Sequence, residues 1–188
     1  MKIYVLLGHP DSSSFNGKIA QTYVDAATRK GHEVRFQKLG DMKFDPILWE
    51  GYKSKQELEP DLKQAQENLL WCNHWVIVYP IWWGSFPALL KGYFDRVLLS
   101  GFAFKYKKDS PMWDKLLKGR TAEVITTCDA PILWIWLMYR NSDLNTVRHA
   151  ILAFCGFSFK GSTRIGRLRY LQEKERIQIL AKIAKSVK

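Results

Sequence analysis

The sequence predicts an α/β protein built on a doubly wound parallel sheet of five strands, with helices on both faces. Three observations carry this. The runs at residues 3–7 and 75–79 are continuously apolar, without the polar alternation of a sheet that faces water on one side, so both faces are expected to be covered. Stretches of helical composition separate the predicted strands, and strands that alternate with helices form parallel sheets. Finally, the loops after the first, third and fourth strands are the three unusual loops of the chain. In such a sheet, ligands sit outside the carboxyl ends of the strands at the topological switch point.

The first strand, residues 3–7, is followed by the turn-rich segment Gly8-His9-Pro10-Asp11-Ser12-Ser13-Ser14-Phe15-Asn16-Gly17. A helix-like stretch at residues 18–30 then closes at Gly31. Strand, hydroxyl-rich loop and helix make a phosphate-binding layout, because amides at the helix start and serine hydroxyls can converge on one anion. Plain helix capping by Ser14 or Asn16 accounts for the same residues without a ligand. Neither a G-x-x-x-x-G-K-[ST] loop nor a G-x-G-x-x-G fingerprint is present.

Residues 33–37 read as the second strand, and residues 41–60 as a polar connection without a strong period. Residues 57–71 have helical composition and lead into the third strand at 75–79. That strand stops at Pro80, and Pro87 stands where a first helical turn begins, with its fixed φ and missing donor suited to the place. The intervening loop, Ile81-Trp82-Trp83-Gly84-Ser85-Phe86, sets two indoles beside two small residues, a composition suited to a flat ligand, although aromatic residues here also serve as lid or core. A helix over 89–99 follows, then an alternating, basic segment at 101–108. Residues 121–127 form the fourth strand, leaving through Thr126-Thr127-Cys128-Asp129. Residues 132–139 hold Trp134, Trp136 and Tyr139, which suit a pocket wall, a dimer interface or core. A helix near 144–154, a fifth strand at 157–165 and a basic amphipathic helix over 173–188 complete the chain.

The 188 residues fit a single domain, 1–188, large enough for one core. Twenty-nine Lys and Arg against 18 Asp and Glu give a net charge of +11, which favours anionic partners without choosing among them. Three cysteines without C-x-x-C spacing suggest neither a disulfide framework nor a zinc site, and fit a reducing cytoplasm. The start is too short in apolar residues for a signal peptide, and no run approaches the roughly 20 residues of a membrane span. No metal site is expected.

Two stretches resemble the flavodoxin-like NAD(P)H dehydrogenase (quinone) family of the DT-diaphorase type. They are His9-x-x-x-Ser13-Ser14-Phe15-Asn16, and Pro80-Ile81-Trp82-Trp83-Gly84 continued by residues 87–97, with Cys155-Gly156-Phe157 closing the domain. The resemblance implies a flavin, FAD with FMN as the alternative, and NAD(P)H as co-substrate. It assigns His9, Ser13, Ser14, Phe15 and Asn16 to the flavin phosphates, and Pro80, Ile81, Trp82, Trp83 and Gly84 to the isoalloxazine edge. It sets Asp95 near the adenylate half of FAD. Thr126 and Thr127, with Cys128 and Asp129, match the loop at the pyrimidine side of the ring. Cys128-Asp129 replaces two glycines of the family, and an acid facing the ring would oppose an anionic hydroquinone. The family's active-site tyrosine and histidine fall in a segment that is shorter here, so neither Tyr139 nor His149 takes those roles, and no catalytic residue is assigned.

The function implied is two-electron hydride transfer from NAD(P)H through flavin to a quinone or similar flat acceptor, in a cytoplasmic homodimer. A second reading, motivated by the charge and the basic last helix, is a regulatory subunit that docks on a membrane transporter or another acidic partner; a solvated basic face explains the same charge. Membrane contact is expected to be peripheral at most. Nucleic-acid binding is not expected, because the aromatic residues are not interleaved with the basic clusters as stacking platforms require. A one-electron carrier is disfavoured by the sign of the charge.

Overall fold

In the computed structural model, which describes residues 1–54 and 56–187, five parallel strands lie in the order β2-β1-β3-β6-β7. They are β1 (Lys2–Leu7), β2 (Glu33–Lys38), β3 (His74–Pro80), β6 (Thr121–Thr127) and β7 (Ser158–Ile165). This is the predicted five-stranded doubly wound sheet. The order reverses between β1 and β3, so the switch point falls beside those two strand ends.

Both faces are covered, as the unbroken apolar runs require. Along β1, Tyr4 and Leu6 point into one core, whereas Ile3, Val5 and Leu7 point into the other. The second core is closed by α1 (Phe15–Arg29) and α6 (Glu173–Ser186), which carry Ile19, Tyr23 and Ile183. The first is closed by α2 (Pro60–Trp71), α3 (Ala88–Val97) and the helical stretch 142–153, which bring Leu62, Leu69, Leu90, Tyr93, Val147 and Leu152. That last stretch begins as the short helix α5 (Ser142–Asn145) and widens into a π-helix over Thr146–Ala153. The predicted last helix reached Lys188, which lies outside the described residues, as does Lys55 in the predicted polar connection.

Three features differ from the sequence reading. The alternating basic segment is half of a small antiparallel hairpin, β4 (Phe104–Tyr106) with β5 (Trp113–Lys115), separate from the main sheet. Residues 132–139 form a helix, α4 (Ile132–Tyr139), and only Ile135 of it is buried, so the core assignment for Trp134, Trp136 and Tyr139 does not hold. The irregular segment between β2 and α2 is anchored by the fully buried Arg96 of α3. Its guanidinium donates to the carbonyls of Asp45 and Glu57 and pairs with the Glu59 carboxylate at 2.8 Å. Among the described residues no helix is long and apolar enough to cross a membrane, and no group of His, Cys, Asp and Glu could hold a metal ion.

Candidate active site

The carboxyl ends of β1, β3, β6 and β7 open onto one cleft of about 150 Å³. The loop after β1 lines it with His9, Ser14, Phe15 and Asn16, the loop after β3 with Pro80, Ile81 and Trp82, and the loop after β6 with Thr127, Cys128 and Asp129. The sheet thus brings all three unusual loops together at its switch point.

The loop after β1 is held tightly against its neighbours. A methyl group at Gly17 would meet the Ser12 carbonyl oxygen at 1.9 Å, and one at Gly40 would meet that of Pro10 at 1.8 Å, so both sites require the missing side chain. Ser14 caps α1, its hydroxyl accepting from the Gly17 amide at 3.2 Å. The first-turn amides of Phe15 and Asn16 have no intrahelical acceptor and sit at the positive end of the helix dipole. Two predicted side chains are engaged within the protein. Ser13 donates from its hydroxyl to Asp11 at 2.7 Å, and buried Asn16 donates to the Thr127 hydroxyl at 2.9 Å, tying the first loop to the β6 exit. His9 accepts the Asp11 amide at Nδ1 (2.9 Å), and burial holds its imidazole below the ordinary value, so the ring is neutral with its proton on Nε2.

Trp82-Trp83-Gly84-Ser85 is a type I′ turn, closed by reciprocal Trp82–Ser85 backbone hydrogen bonds of 2.9 Å, with φ of +52° at Trp83 and +69° at Gly84. Gly84 adopts that conformation readily, but a tryptophan does so at a cost of about 1–2 kcal/mol. The Trp82 ring meets His9 edge-on at 5.5 Å, while Trp83 at the tip is fully exposed. Replacing Trp83 by glycine is therefore expected to leave a protein about 1 kcal/mol more stable than the alanine variant. Urea denaturation of the pair measures this; equal midpoints would mean the turn carries no backbone strain.

At the β6 exit, the Thr126 hydroxyl is buried without a hydrogen-bond partner. Burial pushes the Cys128 thiol up, and its Sγ donates to the Ala130 carbonyl at 3.3 Å, which makes it an inert neutral group. Asp129 is turned to Arg169, accepting from its amide at 3.1 Å and its guanidinium at 3.3 Å. The acid that replaces a family glycine thus has a cation beside it.

The sequence reading missed the contribution of the segment after β7. Leu168 lines the cleft, and Arg176 of α6 lies over the Phe15 ring at 5.2 Å, adding a cation beside the loop after β1. The basic last helix was its only signal. Asp95 is not brought to the cleft: it pairs with Lys91 at 2.7 Å on α3 and lines a separate, largely apolar groove of about 600 Å³. That groove is larger, but it is largely apolar and the Lys91–Asp95 pair on its wall is internally neutralised. The cleft is the better site for an anionic cofactor. Tyr139 packs against Gly84, and His149 is exposed on the π-helix.

Residues 1–187 match the family described as flavodoxin-like fold. The chain belongs to that family. An NAD(P)H oxidoreductase of Haemophilus influenzae is 29% identical over 186 residues, covering 94% of this chain and 89% of the relative. NAD(P)H dehydrogenase [quinone] 1 of Rattus norvegicus is 28% identical over 203 residues, covering 94% and 72%. A crystal structure of a Streptococcus mutans protein superposes with a TM-score of 0.83 at 29% identity, covering 100% of this chain and 98% of the other. This flavodoxin-like chain is an enzyme of the oxidoreductase class.

Proposed function

We propose that the cleft binds FAD and that the protein is an NAD(P)H:quinone-type oxidoreductase acting as a cytoplasmic homodimer. The observation that carries this is the meeting of the three loops at the β1/β3 switch point, with the start of α1 on one side and the Trp82 indole and Thr127 on the other. The donor set fits a flavin: amides of Phe15 and Asn16 with the Ser14 cap for phosphate, and Pro80, Ile81 and Trp82 for a flat ring edge, with Thr127 and Cys128 opposite. Phe15 and Leu168 line the cleft and Arg176 lies over the Phe15 ring, a cation beside a site for an anionic flavin, proposed as FAD with FMN as the alternative. Asp95 lends FAD no support.

A flavin held there would supply the redox chemistry, two-electron transfer from NAD(P)H to a flat acceptor such as a quinone. The chain itself contributes orientation and charge. Trp82 and His9 brace one end of the ring site, neutral Cys128 keeps a thiolate away from it, and Arg169 offsets Asp129 at its rim. One site serving two flat substrates in turn predicts ping-pong kinetics. For the homodimer, the 600 Å³ groove between α3, β4 and the π-helix, lined by Phe104, Tyr106, Ile151 and Phe154, is the surface suited to a second copy. The buried, unpaired cysteines suit a reducing compartment.

The visible spectrum of the purified protein tests the reading. Flavin bands that bleach with NADPH under nitrogen are expected, with FAD released on heating. Release of FMN would correct the cofactor, and a colourless protein that takes up neither flavin would overturn the proposal.

A further inference from the structure

The amino ends of the strands form the end of the sheet away from the cleft, and the chain makes only short connections there, at residues 30–32, 72–73, 116–120 and 154–157. The strand starts are laced together. Glu33 donates its amide to the Met1 carbonyl at 3.1 Å, Asn73 to Lys2, Thr121 to Asn73 and Ser158 to Arg120, each at 2.9 Å. Short turns and a continuous row of hydrogen bonds make this end a flat, rigid face. Five strands give it a width of about 20 Å, and the length of β3 sets it about 20 Å from the cleft.

The face is cationic. Lys2, Arg29, Lys30, Lys118, Arg120 and Lys185 gather there, with Glu33 as an exposed acid among them. Among the described residues, none of these six cations is in an ion pair. Helix ends account for part of the charge: Arg29 and Lys185 stand in the last turns of α1 and α6, and Arg120 donates to the Leu70 carbonyl at the end of α2 at 2.8 Å. Lys2 begins a strand and Lys118 sits in a turn, where no helix dipole calls for a cation. Apolar side chains stand between these charges. Leu70 is 52% and Met1 51% exposed, and Trp71, next to Leu70, is half-buried.

These features name the partner. Nucleic acid asks for a free aromatic face on which bases stack, or for an element that enters a groove. Here Arg35 lies over the Trp71 ring at 4.3 Å and Lys2 at 5.8 Å, and the connections are too short to project. A flat cationic face with apolar side chains between its charges is complementary to the plane of an anionic bilayer, where cations meet headgroups and apolar side chains reach below them. We propose that the amino end of the sheet docks on an anionic lipid bilayer. The consequence for substrate rests on the function proposed above: docking by this end turns the cleft to the aqueous phase, so the flat acceptor is taken from water.

Flotation of the purified protein with vesicles at physiological salt tests the proposal. Vesicles of phosphatidylcholine mixed with phosphatidylglycerol are expected to carry the protein upward, and phosphatidylcholine alone at least tenfold less. Arg29→Gln/Lys118→Gln, both exposed, is expected to weaken vesicle binding about tenfold or more and to leave NADPH turnover without vesicles unchanged. Lipids brominated in their acyl chains are expected to quench tryptophan emission, and Trp71→Phe to lose most of that quenching. The proposal is overturned if the wild type stays unbound at every composition, or if the double variant floats equally well. Full quenching in Trp71→Phe would place the contact on another face and overturn it too, as would tighter binding to duplex DNA than to the anionic vesicles at the same salt. A protein that floats but turns over no NADPH would count against the enzymatic reading alone and leave the docking surface standing.

Discussion

Replacing Gly17 by alanine is expected to strip the protein of its flavin while leaving the sheet folded. The new methyl carbon would sit 1.9 Å from the Ser12 carbonyl oxygen and 2.8 Å from its carbon, so main chain must move. The segment that moves is the loop leading into α1, clamped from the other side by Gly40 beneath Pro10. Overpacking of this kind costs about 1–3 kcal/mol of stability. The larger effect falls on the ligand. Displacing the Phe15 and Asn16 amides removes at least one charge-assisted hydrogen bond to phosphate, worth about 1.5–3 kcal/mol, or about ten- to a hundredfold in flavin affinity. Flavin content at purification and titration of the apoprotein measure this, with circular dichroism reporting the fold. A variant that retains a full complement of tightly bound flavin would show that the loop does not hold the phosphate.

Replacing Asp143 by asparagine is expected to destabilise the protein by about 3–5 kcal/mol. Asp143 is 1% exposed, and Arg164 of β7 donates from Nη2 to both its carboxylate oxygens at 2.9 Å while Nη1 reaches Asn141 at 2.7 Å. Burial raises the Asp143 carboxyl, and the guanidinium opposes that shift. Removing the carboxylate charge leaves a cation with 8% side-chain exposure and no counter-charge, which is the costly way to break a buried pair. A drop in the urea midpoint with little change of slope would measure the loss. The double variant Asp143→Leu/Arg164→Leu is expected to recover at least half of it, because neither charge then remains to be desolvated. A double variant as unstable as Asp143→Asn would assign the effect to packing of the α4–α5 connection instead.

How much was legible in the sequence depended on the range of the forces involved. The strand at residues 75–79 and the loops at its neighbours' ends announced themselves locally, through apolar runs, prolines and serines, and the doubly wound parallel sheet followed from alternation, whereas the order of its strands came only with the fold. Three-residue strands such as β4 and β5 carry too little pattern to register. Arg176 reaches Phe15 across the whole length of the chain, and nothing near either residue signals the contact. In α4 the local signal was ambiguous. The run Ile-Leu-Trp-Ile-Trp-Leu-Met-Tyr suits a pocket wall, a dimer interface or core, and only the tertiary fold, with seven of its side chains facing outward, removes the core.

The anchoring of the segment between β2 and α2 by Arg96 has an evolutionary consequence. Two of the three groups that receive the guanidinium are main-chain carbonyls, of Asp45 and Glu57, and every amino acid supplies a carbonyl. Selection therefore acts on the arginine and on Glu59 but leaves the intervening residues nearly free to drift. The segment can change composition, and even length, without loss of its path, so relatives of this enzyme could diversify there while keeping one fixed charge at its base.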